Sequence, residues 1–349
     1  MIVVTKPGML ASVQDLGRYG HRHLGVCPGG ALDVMALTVA NRLVGNADGA
    51  AGIEITMGMC EIRFESATRI ALTGAPFGAR LDGQLIWSYW SVPVAAGQTL
   101  KLGGASTVQR PGLRTWLAVA GGIDVPVVLG SRSTDLKAGF GGHEGRALRK
   151  GDRLILGSSL LTPEQLTRRQ FGALPPNAIG DDQPVTTLRI LPGPEHEQFT
   201  IAARKQLCTE SWRITPQSNR MGSRLAGPEL KRKRAADMLS AGVIPGTIQV
   251  PPSGQPIVLM GDAQTTGGYP RIAVVIRADL WKLAQAPLGG ELRLEEVDAT
   301  TAQSAWNEQQ RYLAMMAQGL SLMGWPSANA SRSAAPPQET EEEGAQDAD

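Results

Sequence analysis

The density of chain-turning residues is the feature that most constrains the fold of this sequence. It contains 42 glycines and 23 prolines among 349 residues, which is above ordinary usage. Both residue types interrupt regular elements and favour tight turns. The apolar runs between them are short, as is typical of strands bounded by turn residues. We therefore predict a mainly β protein with a few helices, of the α+β class.

The predicted strands occur in both halves of the chain. In the first half they cover Ile2–Val4, Arg69–Leu72, Gln98–Leu102, Thr115–Val119 and Arg153–Leu156. In the second half they cover Thr187–Leu191, Ile248–Val250, Ile257–Met260 and Ile272–Ile276. Two strand-rich halves predict two β subdomains.

Four helices are predicted between and after these strands. Apolar residues from Leu32 to Leu43 recur at helical spacing, and Gly45 follows where a left-handed cap belongs. Thr162, Pro163 and Gln165 form a capping signature for a short helix. A third helix covers Asp279–Gln285, and a fourth covers residues 300–323.

These patterns divide the chain into five parts. We predict a first β-barrel subdomain over 1–160, a linker with a short helix over 161–186, and a second β-barrel subdomain over 187–295. A C-terminal helix follows over 296–325. Residues 326–349 are predicted to be a disordered acidic tail, because they are rich in Ser, Ala and Pro and end in clustered Glu and Asp.

Composition excludes several classes of function. The formal net charge is only +2, so we predict no nucleic-acid partner. No apolar run approaches the ~20 residues that a membrane-spanning helix needs, and the N-terminus has no signal-peptide pattern. The three cysteines are far apart and imply no disulfide framework. We predict a cytoplasmic protein without a membrane contact.

Known cofactor motifs are not found in the sequence. It has no phosphate-binding P-loop and no G-x-S-x-G nucleophile elbow. The glycines of Gly139–Gly145 have the wrong spacing for a dinucleotide loop. His21, His23 and Cys27 have no second cluster to complete a metal site, so no metal is predicted.

Four polar, glycine-containing segments are the candidate functional loops. They are Gln14–Arg18, Gly130–Thr134, Ser218–Arg224 and Asp262–Tyr269. Each combines hydrogen-bond donors with a backbone that can approach a small polar ligand closely. The alternative is that each is a tight turn whose polar side chains bond to local backbone.

The longest of these motifs resemble one known family. Ser12–Gly20, Ala40–Asn46, Gly130–Thr134, Ser218–Leu225, Gly246–Pro251 and Gln264–Pro270 match, in this order, the allophanate hydrolase subunit 2 family, also called carboxyltransferase subdomain B. The chain departs from the family pattern at Gly25–Gly30, where a Pro and a Ser are replaced, and at Pro76, where many members have Asp. The resemblance implies two cyclophilin-like β-barrel subdomains and a smaller partner protein that carries subdomain A.

Three functions follow from the resemblance. The first is a subunit of ATP-dependent 5-oxoprolinase, which hydrolyses the lactam of 5-oxo-L-proline to L-glutamate. Its partners would be a smaller protein like the B subunit of that enzyme and a large lactam-utilisation subunit. The second function is that of a biotin-dependent carboxyltransferase subunit that uses carboxybiotin carried on another protein. The third is a non-catalytic regulator that binds a kinase-inhibitor-like partner. ATP is implied for the complex, without an assignment to one of its proteins.

The first function predicts roles for the loop residues. Arg220 and Arg224 are predicted to clamp the substrate carboxylate, because a guanidinium binds carboxylate bidentately. Asp15 or Asp262 is the candidate base, and Gln264 completes the predicted catalytic set. The predicted substrate-binding residues are Gln14, Arg18, Arg132, Ser133, Thr134, Thr265, Thr266, Gly267, Gly268 and Tyr269. Under this hypothesis, Arg220→Ala lowers turnover by orders of magnitude and leaves the fold intact.

Overall fold

The structure is a computed structural model that describes residues 1–103, 112–176, 185–234 and 238–326. Part of the predicted linker (177–184) lies outside the described residues, and so does the predicted tail apart from Pro326. No helix in the described ranges is both long and apolar enough to span a membrane.

The first half contains twelve strands in the described ranges. They are β1 (Ile2–Pro7), β2 (Leu10–Gln14), β3 (Gly52–Thr56), β4 (Cys60–Phe64), β5 (Thr68–Gly74), β6 (Arg80–Leu81), β7 (Gln84–Leu85), β8 (Trp90–Val94), β9 (Thr99–Lys101), β10 (Arg114–Val119), β11 (Arg153–Leu154) and β12 (Phe171–Gly172). They form two six-stranded sheets with the orders β11-β1-β4-β9-β6-β7 and β12-β8-β5-β10-β3-β2. Their shared core includes Ile2, Phe64 and Leu117.

The second half is built around a closed barrel. Its strands are β13 (Thr186–Pro192), β14 (Trp212–Ile214), β15 (Gly222–Ala226), β16 (Ala241–Gly242), β17 (Thr247–Gln249), β18 (Ile257–Leu259), β19 (Thr266–Gly267), β20 (Arg271–Val275) and β21 (Glu291–Glu296). The barrel order is β13-β20-β17-β18-β15-β14-β21, and β16 and β19 form a separate ladder. Alternate residues of β21 are buried and exposed, as expected for a strand with one face on a core. Barrel-like sheets with few helices confirm the predicted fold class.

Five helices complete the described residues: α1 (Val34–Leu43), α2 (Pro163–Thr167), α3 (Ile201–Thr209), α4 (Leu280–Gln285) and α5 (Ala299–Leu322). Gly45 adopts φ +71° after α1, and Thr162 and Gln165 form the predicted capping box of α2. α3 has no counterpart among the predicted helices, because only Ala203 and Leu207 are buried on it and its apolar stripe is correspondingly weak.

α1 covers the outer face of the second sheet of the first half. Met35 and Leu37 pack in one cluster with Trp116 of β10. Every residue of β10 is therefore buried, since the core covers one face and α1 the other. α5 packs outside α1, and Arg42 of α1 donates to the carbonyl of Leu313 over 2.5 Å. The two halves and α5 form continuous contacts around α1.

The segment predicted as a linker contributes to the first half. Phe171 and Gly172 of β12 pair with Ser91 and Trp90 of β8. Arg69, on the adjacent strand β5, donates to the carbonyl of Arg168 over 2.7 Å. Where it is described, this segment is an edge of the second sheet.

Candidate functional site

Asp15 organises the first cluster of predicted site residues at the end of β2. Its carboxylate accepts hydrogen bonds from the backbone N–H of Gly17 (2.7 Å) and of Arg132 (2.6 Å). It also accepts from the hydroxyls of Ser131 (2.6 Å) and Ser133. All of these donors belong to the protein, and the carboxylate is buried. Asp15 therefore fixes the 131–134 loop against the first half.

Gln14 and Thr134 extend this cluster. The Gln14 amide donates to the carbonyl of Thr134 over 3.1 Å and to the hydroxyl of Ser12 over 3.0 Å. The Thr134 hydroxyl donates to the carbonyl of Val13 over 2.8 Å. Two predicted loops that are far apart in sequence thus meet through direct hydrogen bonds.

Arg18 lies inside the same cluster with part of its guanidinium unpartnered. It is 1% exposed, lies 4.7 Å from the Phe140 ring centroid, and donates through Nη2 to the carbonyl of Ser133. Among the described residues, its Nη1 has no hydrogen-bond partner. Buried polar groups are almost always satisfied, so Nη1 marks a position for a group that the protein itself does not supply.

Arg220 forms a buried ion pair that joins the two halves. Its Nε and Nη2 donate to Asp262 over 2.8 and 2.9 Å, Nη1 donates to Glu54 of β3, and Nη2 also donates to the carbonyl of Gly30 over 2.6 Å. Burial alone would lower the pKa of Arg220, but the carboxylates of Glu54 and Asp262 raise it above its usual value. The fork of this guanidinium is occupied by protein oxygens, which leaves no bidentate face for a substrate carboxylate.

Asp262 is buried beside this arginine. Burial raises the pKa of its carboxyl, although the charge and hydrogen bonds of Arg220 act in the opposite direction. Glu54 also accepts a hydrogen bond from the backbone N–H of Leu32 over 2.8 Å. The pair is therefore tied to the segment that precedes α1.

The segment Cys27–Gly30 lies between the two clusters. Pro28 accepts a hydrogen bond from the Arg18 N–H over 2.7 Å, and the Gly29 N–H donates to Gly261 over 3.1 Å. Gly29 adopts φ +61°, and a Cβ placed there would lie 3.5 Å from Arg18 Nη1 and 3.9 Å from Asp262 Oδ1. Arg18 and Asp262 thus approach the same small volume beside Gly29. This volume, with Arg18, Gly29 and Asp262 around it, is the candidate site.

Two further buried groups link α1 to the second half. Asp33 caps α1 by accepting from the Ala36 N–H over 2.9 Å, and it accepts from the Gln285 amide of α4 over 2.7 Å. Burial raises the pKa of Asp33 to about 6. Arg114 lies 3.7 Å from Glu54, and burial lowers its pKa.

Sequence reasoning did not select Glu54, Asp33, Arg114 or Gln285. Glu54 had a usable signal, because it is the one charged residue in the apolar run Gly52–Thr56, and a charge inside a buried strand needs a partner. Gln285 carried no such signal, since its partners come from the other half of the chain.

Cys27 stands at one of the positions that depart from the family pattern. Its thiol donates to Asp135 over 3.3 Å. Burial, followed by the charge of Asp135, raises the pKa of this thiol to about 12. A thiol with such a pKa is not a nucleophile at neutral pH, so Cys27 fills space beside the candidate site.

The remaining predicted residues lie elsewhere on the surface. Gln264, Thr266 and Tyr269 are exposed, and Gly267 pairs with Ala241 in the β16–β19 ladder. Thr265 is buried, and its carbonyl accepts from the Val243 N–H over 3.0 Å. Gly268 lies in the same loop. The structure does not bring this loop into hydrogen-bonding contact with Arg18 or Asp262.

Arg224 is separated from Arg220 by the alternation of β15. Its side chain is exposed, and its neighbours Ser223 and Leu225 are buried. Arg220 is buried before the strand begins. The predicted two-arginine clamp is therefore not formed in this structure, because the two guanidinium groups are in different environments.

The fold and the buried joint between its halves are those of a carboxyltransferase domain. Residues 24–296 match the family described as carboxyltransferase domain, subdomain A and B. The chain belongs to this family, which confirms the resemblance drawn from the loop motifs.

Individual relatives agree with this assignment. The chain is 46% identical over 322 residues to the C subunit of 5-oxoprolinase from Escherichia coli (strain K12), covering 91% of this chain and 98% of the relative. It is 39% identical over 303 residues to the C subunit of 5-oxoprolinase from Haemophilus influenzae, covering 87% of this chain and 93% of the relative. The crystal structure of the K. lactis urea amidolyase aligns with a TM-score of 0.82 and 28% identity, over 90% of this chain and 20% of that one.

Proposed function

We propose that this chain is the C subunit of an ATP-dependent 5-oxoprolinase, a complex that hydrolyses 5-oxo-L-proline to L-glutamate. The two bacterial relatives described above carry that name and match almost their full length. ATP is a substrate of the proposed complex. The proposed partners are a smaller protein that carries subdomain A and a large lactam-utilisation subunit.

The observation that carries the site proposal is the unpartnered Nη1 of buried Arg18 beside Asp262. A guanidinium N–H without a partner is a strong donor for a carboxylate, and 5-oxoproline carries one. We therefore assign carboxylate binding to Arg18 rather than to Arg220 or Arg224. The raised pKa of Asp262 favours it over Asp15 as the proton-transferring group, since catalytic bases work best with a pKa near the working pH.

Arg220 has a positioning role in this proposal. It holds Asp262 through two hydrogen bonds and itself contacts no substrate. Asp15 likewise acts through the loop that it anchors, because its oxygens already accept from four protein donors. Both residues are needed for the geometry around Gly29.

The proposal is tested by co-expressing this chain with its neighbouring genes and assaying ATP-dependent glutamate release from 5-oxo-L-proline. We expect release from the complex. A well-folded complex with no release would overturn the proposed function.

The site proposal needs a separate comparison within an active complex. Arg18→Gln is expected to raise KM for 5-oxo-L-proline or lower turnover by at least about 100-fold, from the loss of a charge-assisted contact and of site geometry. Arg224→Gln, in the exposed arginine, is the matched control and should stay within about twofold. The reverse pattern, with the Arg18 variant folded, would remove Arg18 from the site.

A second candidate function is that of a biotin-dependent carboxyltransferase subunit. The likeness to the urea amidolyase structure favours it, and carboxybiotin would then come from a separate carrier protein. Carboxyl transfer from a carboxylated carrier to urea, without glutamate release from 5-oxo-L-proline, would select this alternative. Tight binding to the smaller partner with neither activity would instead support the regulator.

A further inference from the structure

An apolar cleft of about 400 Å³ separates α1 from α4 and α5. Its walls include Met35 of α1, Trp281 of α4, and Trp306 and Leu313 of α5. This volume falls within the range of small-molecule sites, which are mostly apolar with a few polar groups. Two indole rings on one cleft favour a flat, aromatic ligand, because tryptophan pairs well with other rings.

The charged residues that line the cleft leave one positive charge without a counter-ion among the described residues. Arg42 and Asp48 line one part and neutralise each other through hydrogen bonds of 2.7 and 2.8 Å. Arg277 lines another part and lies 4.1 Å from the ring centroid of Trp306. In the described part of the chain, no carboxylate forms an ion pair with Arg277. The lining therefore favours a ligand with one negative charge.

α5 makes this cleft a feature of the sequence beyond the matched family region, which ends at residue 296. The helix is held at both sides of the cleft, since Arg42 donates to the carbonyl of Leu313 and Gln309 donates to that of Ala278 over 2.6 Å. A wall fixed to both halves of the molecule gives a pre-formed site, which lowers the entropic cost of binding.

We propose that this cleft binds a small aromatic monocarboxylate, with the ring between the indoles of Trp281 and Trp306 and the carboxylate on Arg277. The walls are more apolar and the volume is larger than a lactam such as 5-oxoproline needs, so this ligand is distinct from the proposed substrate. Gly29 and Gly261 also line the cleft. A bound ligand therefore touches the segment that carries the candidate site.

The test is calorimetric titration of the full chain with indole-3-acetate and with its uncharged counterpart, indole-3-acetamide. These probes share a ring and differ in the charge. We expect the acetate to bind about fivefold more tightly or better, as one ion pair at a partly exposed site supplies about 1 kcal/mol. Arg277→Gln should reduce the affinity for the acetate to that for the amide.

Arg213→Gln is the matched control, because Arg213 is an exposed arginine of the barrel strand β14, away from the cleft lining. It should leave both affinities unchanged. Trp306→Ala should weaken both probes, which locates them in the cleft. The proposal is overturned if the acetate does not bind at millimolar concentration, if the two probes bind equally, or if Arg277→Gln and Arg213→Gln have the same effect.

Discussion

Arg220 of the second half donates a hydrogen bond to Glu54 of the first half, 166 positions earlier in the chain, inside a buried joint that also contains Asp262. The side chains of Arg220 and Glu54 are 5% and 3% exposed. An ion pair taken out of water is held by geometry and additional hydrogen bonds, and here Gly30 and Leu32 supply them. The relative position of the two halves is thereby coupled to the candidate site.

Removing Arg220 is predicted to destabilise the fold, and this replaces the sequence-based expectation of an intact fold. Arg220→Ala leaves Glu54 and Asp262 buried without their cation, and breaking such a pair costs about 3–5 kcal/mol. Urea unfolding of the isolated chain measures this loss. Arg224→Ala, on the exposed face of β15, is expected to change the free energy of unfolding by about 0.5 kcal/mol or less. Equal stabilities of the two variants would contradict the structural role of Arg220.

Asp15 is predicted to control the order of the 131–134 loop. Asp15→Asn replaces one acceptor oxygen by a donor, so at least one of the N–H groups of Gly17 and Arg132 loses its partner. We expect this to cost about 2 kcal/mol and to speed hydrogen exchange in the peptide that contains Arg132. Asp124→Asn is the control, because Asp124 pairs with the Arg132 side chain at the surface over 3.2 Å and such pairs contribute little. Unchanged exchange in the Asp15 variant would show that the loop does not depend on this carboxylate.

Asp33 is predicted to make the fold less stable as the pH rises from about 4 to about 6. Its folded-state pKa is raised to about 6 from 3.8 by burial, so in this window the folded chain holds a proton that the unfolded chain releases. The unfolded state is then favoured progressively, by up to about 3 kcal/mol, until both states are ionised above pH 6.

Asp33→Asn removes this titration and keeps the side chain able to cap α1. Other carboxyls titrate too, and those with a lowered pKa, such as Asp279 and Glu195, change stability with the opposite sign. The measurement is therefore the difference between wild type and variant in urea unfolding at pH 4.5 and at pH 7. Wild type should lose stability relative to the variant at pH 7. A difference that does not change with pH would disprove the assignment to Asp33.

Trp325 is predicted to fix the end of α5 on the first half. Its ring meets that of Phe171 edge to face with centroids 4.8 Å apart, and the Arg69 guanidinium lies 5.1 Å from each ring. Trp325→Ala should cost about 3–5 kcal/mol, as for other buried tryptophans. Leu322→Ala, at a side chain that is 89% exposed, should cost about 0.5 kcal/mol or less. Thermal unfolding of both variants decides this point.

The local elements were within reach of the sequence, because their causes are local. The spacing from Leu32 to Leu43 predicts α1, and Thr162 with Gln165 predicts the start of α2, since capping depends on residues three positions apart. Turn residues divide the chain into strands of the right positions, including β10 and β20. The motifs Ser12–Gly20 and Gln264–Pro270 also identify the family without a structure.

The roles of the site residues depended on the tertiary structure. The sequence motif places Arg220 and Arg224 four positions apart and offers them as one clamp, but Arg220 is buried against Glu54 and Arg224 is exposed on β15. A buried charge takes whichever partner the fold brings to it, and the partner here lies 166 positions away. The same holds for Arg18, whose unpartnered Nη1 is visible only once Ser133, Phe140 and Gly29 surround it. The sequence by itself determined the elements and the family, because both are encoded in short stretches of chain. Only the packing of distant segments decided which polar groups are satisfied by the protein and which remain for a ligand.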